Sequence, residues 1–193
     1  MLLRRLLIFS SLSLFSPLLF AIDSIGNLGS VNDNIHRGEI LDEESDYRQL
    51  SELGINTVVN LRAKKDPDNE AWCKKYNLNC TLYPINLSYP GSDRRFNYEM
   101  LKKAFYFTLR EVSESKKVYI HCHYGSDRTG ALAAALTLRE ITCGKEYNAD
   151  ETWEKIYQDL SHHNFHEHLF PTLLANIKSW VYDHPEWLCL DPS

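Results

Sequence analysis

The chain has 193 residues, enough to bury a sizeable core in one domain. At 44% hydrophobic and 24% charged residues it excludes a disordered polymer. Its 21 basic and 26 acidic side chains leave a formal charge of −5, which argues against a nucleic-acid partner.

Residues 1–21 stand apart. Arg4 and Arg5 precede a run that is apolar from Leu6 to Phe20 except for serines and Pro17, and Ala21 leads into polar sequence. This predicts a signal peptide cleaved near Ala21, and so a secreted or periplasmic protein with one domain over residues 22–193. No later stretch is apolar enough to span a membrane. Cleavage removes two arginines and no acid, taking the charge from −5 to −7. Any anionic substrate must then be held by a local positive site against an unfavourable overall field.

Ile25 to Ile35, rich in Gly and Asn, reads as a loop with at most a short edge strand. The acidic patch Glu39 to Asp46 reads as the start of a helix whose apolar face is Tyr47, Leu50 and Leu53 and whose stop is Gly54. Ile55 to Leu61 is a buried strand ending in Arg62. Ala63 to Asn69 is a polar loop carrying Lys64 and Lys65. Glu70 to Tyr76 is helical, and Cys80 to Asn86 is the next strand. Leu87 to Phe96 contains Pro90 and Gly91 and reads as a mobile loop. Asn97 caps a long helix running to about Glu114. Val118 to Ile120 is a short apolar strand, and Gly130 to Arg139 a helix. Ile141 to Gly144 turns the chain, Asn148 or Asp150 caps a helix containing Trp153, Ile156 and Leu160, and a last helix runs near Leu169 to Tyr182. Alternating strands and helices give an α/β domain with a mostly parallel sheet.

The stretch between that short strand and its helix, His121-Cys122-His123-Tyr124-Gly125-Ser126-Asp127-Arg128-Thr129-Gly130, carries the chemistry. Strand, tight loop and helix N-terminus make an anion cradle. The thiolate is the reactive form of cysteine, and the helix terminus and Arg128 both favour it at Cys122. Arg128 can fork onto two phosphoryl oxygens. Thr129 is placed to give its hydroxyl to the sulfur. His121 sits where it can fix the loop. His123, Tyr124, Gly125 and Ser126 form the loop that wraps the anion. The arrangement fits in-line phosphoryl transfer to sulfur, which needs no metal or cofactor.

The stretch matches H-C-x-x-G-x-x-R-T-G and resembles the cysteine-dependent protein tyrosine and dual-specificity phosphatases. Arg37-Gly38, a helix, Leu53-Gly54-Ile55 and then Val58-Val59-Asn60-Leu61-Arg62 resemble the N-terminal half of compact bacterial and fungal dual-specificity-like members, so the likeness runs over about Ile25 to Ile141. It implies a four- or five-stranded sheet with helices on both faces, and hydrolysis through a cysteinyl-phosphate. It places Arg62 near the phosphate pocket, at the end of a strand parallel to the catalytic one.

The resemblance also calls for a general acid on a loop roughly thirty residues before the cysteine. Asp93 meets that spacing, although the usual local pattern around such an aspartate is absent. Asp127 is the rival, because Cys-x-x-x-x-Asp-Arg-Thr recurs in phosphatases of phosphoinositides and in some broad-specificity bacterial enzymes. The expected substrates are phosphotyrosyl and, secondarily, phosphoseryl or phosphothreonyl proteins. Phosphorylated inositols or lipids are the alternative, and a phosphate-binding interaction module without turnover is the reading from another class. Lys64, Lys65, Arg94 and Arg95 are candidates for outer phosphate contacts. With Cys122 kept free, the other four cysteines can pair in three ways. The turn between Cys73 and Cys80 favours their bridge, with Cys143 and Cys189 as its companion; a fully reduced set is the alternative. His162, His163, His166 and His168 read as a solvated helix end, with a secondary metal or pH-sensitive site as the lesser option.

Overall fold

The computed structural model describes residues 25–64 and 69–192. The proposed signal segment and Lys65 lie outside the described residues. Five strands form one sheet in the order β1-β2-β5-β3-β4. They are β1 (Gly29–Asn32), β2 (Ile35–Gly38), β3 (Ile55–Asn60), β4 (Asn79–Leu82) and β5 (Lys117–His121). β2, β5, β3 and β4 are parallel, and β1 adds antiparallel at the edge. Among the described residues the sheet is accompanied by six α-helices: α1 (Glu44–Glu52), α2 (Asn69–Lys75), α3 (Tyr98–Ser113), α4 (Asp127–Thr142), α5 (Ala149–His162) and α6 (Pro171–Asp183).

β5 is the central strand, and its period-2 alternation splits the core in two. Val118 and Ile120 join Val59, Leu61 and the apolar sides of α3, α4, α5 and α6. Tyr119 points the other way, among Val58, Ile55 and the α1 and α2 residues Tyr47, Leu50 and Cys73. Covering on both faces explains why the strand reads as a continuous apolar run.

Two differences from the sequence reading have local causes. The N-terminal loop is a β1–β2 hairpin, in which Asn32 Oδ1 accepts from the backbone N–H groups of Asn34 and Ile35 at 3.0 Å each. The first helix starts at Glu44, five residues later than its acidic lead-in suggests. There Asp46 folds back to accept from the N–H groups of Asp42 and Glu43 at 2.9 Å each, capping the helix rather than extending it. Asn148 caps α5 through the N–H groups of Asp150 and Glu151. Disulfides join Cys73 to Cys80 and Cys143 to Cys189, and Cys122 is the free cysteine.

Candidate active site

The Cys122 loop leaves the C-terminal end of β5, where β2 and β3 run alongside, and enters α4 at Asp127. Its path is set by Gly125, at φ +70°, a conformation that L side chains rarely adopt. A Cβ there would also lie 2.6 Å from the backbone of Gly38, so the loop and the end of β2 press together at a point only glycine fits.

Arg37 fixes that contact from below. Its side chain is wholly buried and its guanidinium donates to the Gly125 carbonyl at 2.9 Å and to Asp159 of α5 at 2.5 Å. Burial pulls its pKa below the ordinary arginine value, while the charges of Asp159 and Cys122 oppose the shift. Asn27 donates to the Tyr124 carbonyl at 2.9 Å, and the Ile40 N–H donates to the His123 carbonyl at 3.2 Å. His163 is bound to Asn27 through Nδ1 at 2.7 Å, and its Nε2 lies 3.7 Å from Asp159. Burial, reinforced by Arg37, pushes the His163 pKa down to about 4. Among the four clustered histidines, His163 is therefore a buried, neutral brace rather than part of a solvated helix end. Among the described residues, the group with metal-ligand spacing is Cys143, His184 and Cys189, where the two cysteines form a disulfide.

Cys122 itself is buried. His121 lies directly behind it, with Nδ1 donating to the Cys122 carbonyl at 3.1 Å. Burial drives the His121 pKa down to about 4, with Arg62 and Arg128 adding to the shift and the carbonyl opposing it. Thr129 Oγ1 is buried with no hydrogen-bond partner among the described residues, and so is free to serve a sulfur or a bound oxyanion.

A cavity of about 710 Å³ opens over the loop. His123, Tyr124, Asp127 and Arg128 of the loop line it, together with Arg62 and Lys64 from beyond β3. Tyr89 and Pro90 of the preceding loop, with His166, Leu169 and Phe170 of the α5–α6 connection, complete it. Arg128 donates to the Ile85 carbonyl at 3.2 Å, which orients the guanidinium at the rim. Burial pulls the Arg62 pKa below the ordinary arginine value and Arg128 adds to the shift, while the charges of Asp42 and Cys122 oppose it. Cations are thus concentrated here on a chain that is acidic overall. Arg94 and Arg95, expected as outer contacts, are exposed and do not line the cavity, and Arg95 bonds the hydroxyl of Tyr89, which does.

Asp93 belongs to the segment that precedes α3. It lies on a short 3-10 turn (Ser92–Arg95), buried, and does not line the cavity. Its Oδ2 accepts from the N–H groups of Thr172 and Leu173 at 2.7 and 3.1 Å. α6 begins Phe170-Pro171, with no side chain of its own to cap its first amides, and Asp93 fills that need across the fold. The Gly91 N–H donates to the Leu169 carbonyl, so the supposedly mobile loop is pinned to the same connection. Asp127, by contrast, is on the cavity wall. Its Oδ1 accepts from the His166 backbone at 2.8 Å, and His166 Nδ1 lies 3.2 and 3.1 Å from its two oxygens.

The sequence reading passed over Asn27 and Asp159, quoted Arg37 only as part of the family likeness with no role in the site, and left His163 and His166 inside the histidine cluster. An arginine within the alternation of a short strand was the available signal for Arg37.

A cysteine at the end of a central parallel strand, an arginine six residues on and a helix N-terminus between them define a cysteine-phosphatase site on an α/β scaffold. The family model described as Swiss Army Knife protein, DSP-PTPase phosphatase domain, matches residues 34–164, and the chain belongs to that family. Solved structures share the fold. The catalytic core of the PP-IP phosphatase Siw14 from S. cerevisiae aligns with a TM-score of 0.61 at 16% identity, over 89% of this chain and 99% of that one. TpbA of P. aeruginosa aligns at 0.58 and 18% identity, over 86% and 89%. PTPMT1 aligns at 0.58 and 15% identity, over 81% and 97%. No curated protein matches by sequence.

Proposed function

We propose that the protein hydrolyses phosphate monoesters of phosphotyrosyl proteins, and secondarily phosphoseryl or phosphothreonyl ones, through a cysteinyl-phosphate. The observation that carries this is one cavity wall holding Arg128 and Asp127 of the Cys122 loop together. In the first step the Cys122 thiolate attacks phosphorus, the S–P bond forms and the P–O bond to the leaving group breaks. Arg128 forks onto the phosphoryl oxygens, and Asp127 passes a proton to the departing oxygen. In the second step water attacks the cysteinyl-phosphate. Asp127 takes the water's proton, the S–P bond breaks, and inorganic phosphate and the thiolate are released. Thr129 supplies a hydroxyl to the sulfur, and His121 holds the loop carbonyl behind it.

Tyr124 and Tyr89 support an aryl substrate: they are 60% and 49% exposed on the cavity wall and offer faces for a phenyl ring. A phosphorylated inositol or lipid is the second reading, favoured by Arg62 and Lys64, two further cations lining the same cavity. The two disulfides support an oxidising, secreted or periplasmic setting.

The test compares kcat/KM for phosphotyrosyl, phosphoseryl and phosphothreonyl peptides with that for inositol phosphates and phosphoinositides. The phosphotyrosyl peptide should lead. A tenfold preference for an inositol phosphate, reduced by Arg62→Ala and Lys64→Ala, would instead establish the second reading. Cys122→Ser should abolish turnover of every substrate while keeping phosphate-analogue binding; turnover by that variant sinks the cysteine mechanism.

A further inference from the structure

A carboxylate in the first turn of a helix is stabilised as the anion, because it faces the positive end of the helix dipole. Asp127 is the first residue of α4, at the mouth of the anion cradle, so what its carboxyl group bonds decides where it is aimed. His166 is the side chain that meets that carboxyl group. Its Nδ1 lies 3.2 and 3.1 Å from the two Asp127 oxygens, and its backbone N–H donates to Oδ1 at 2.8 Å. The imidazole also lines the same cavity, and its side chain is 36% exposed, within reach of solvent protons.

The backbone around His166 is built to keep it there. Asn164 takes a left-handed conformation at φ +58°, which swings the chain out of α5. The N–H groups of Leu169 and Phe170 both return to the His166 carbonyl at 3.0 Å. The connection is then tied down at its far end by the Asp93 cap on α6.

We infer that His166 is a positioning residue for the acid: Asp127 and His166 share one transferable proton, and His166 aims the Asp127 carboxyl at the leaving oxygen. The inference rests on Asp127 being the proton donor. When the leaving oxygen takes the proton from Asp127, the pair loses one proton in total. When Asp127 accepts a proton from the attacking water, the pair is restored, and no co-reactant is needed.

The test uses the full chain with two aryl phosphates, one with a poor leaving group (phenyl phosphate) and one with a good one (4-nitrophenyl phosphate). A general acid supplies roughly 10²–10⁴-fold, and mainly where the leaving group is poor. His166→Ala should lower kcat on phenyl phosphate by about tenfold or more, with a much smaller change on 4-nitrophenyl phosphate and KM held within about twofold. His166→Asn, whose amide can replace the Nδ1 donor, should recover part of the loss. Asp127→Asn should show the same selectivity more strongly, and Asp127→Asn/His166→Ala should be no slower than Asp127→Asn within about twofold. Equal losses on both substrates, or a full further loss in the double variant, would overturn the role of His166 and leave Asp127 as the acid. An Asp127→Asn enzyme with no leaving-group selectivity would remove the acid assignment and this inference together.

Discussion

Arg37 is the natural place to test whether the catalytic loop is held from beneath. Replacing it by Met keeps much of the side-chain volume and removes the charge. Two partners are then abandoned: the Gly125 carbonyl, in a buried setting, and the Asp159 carboxylate. Breaking a buried ion pair by removing one member costs about 3–5 kcal/mol when the survivor stays dry. Asp159 is 37% exposed and rehydrates, so its share falls to the low end. The carbonyl loses a hydrogen bond to a charged donor, worth about 1.5–3 kcal/mol. Together these give about 3 kcal/mol, or a melting-point drop of roughly 6–12 °C for a domain of this size. Urea titration of Arg37→Met, Asp159→Asn and the double variant measures the coupling directly. The double variant should be more stable than the sum of the single losses predicts, by at least about 1 kcal/mol. Additive losses within error would refute the brace. Activity should fall further than stability explains, because the Gly125 carbonyl sits inside the anion loop.

Two further outcomes follow from groups around the loop. His121 and His163 each have a folded pKa near 4 against an ordinary value of 6.5, so the folded state disfavours their protonation. Their stabilisation is complete above about pH 6.5 and is lost as pH falls towards 4; for His121 alone the loss is about 2 kcal/mol by pH 5. The urea midpoint should therefore fall between pH 7.5 and 5, and fall less steeply in His121→Gln; an unchanged slope in that variant would contradict the assignment. Asp93→Ala should cost about 1–2 kcal/mol through the uncapped end of α6, with the same proportional loss of kcat on phenyl and 4-nitrophenyl phosphate. A loss confined to the poor leaving group would return Asp93 to the chemistry.

The strand–loop–helix unit around Cys122 was legible because its signals are local: a short apolar run, a glycine, and Arg-Thr-Gly leading into an alanine-rich helix. Both disulfides were legible for a related reason, since a free catalytic thiol leaves few pairings. What the sequence hid depends on partners far along the chain. Arg37 meets Asp159 across 122 positions, and nothing near either residue announces the other. Asp93 stands at the right distance from the cysteine for an acid, yet its fate is decided 79 residues later by a helix that begins Phe170-Pro171 and needs a cap. His166 looked like one of several solvated histidines because helical spacing was the only lens on it. The chain leaves α5 before His166, so that spacing never applied.

The Cys143–Cys189 bridge sets the boundaries of more than the C-terminal tail. Its ring, closed between cysteines 46 positions apart, starts at the end of the catalytic helix and encloses α5, the His166 connection and α6. Closing a ring of that size restricts the unfolded chain by about 4 kcal/mol in the chain-entropy view. The segment carrying Asp159, His163 and His166 is therefore tethered to α4 at both ends. If its contacts open, it stays within a short radius of the loop it braces. A cut anywhere inside the ring would leave both pieces covalently attached, so the site is protected against losing Asp159 and His166 to a single proteolytic event.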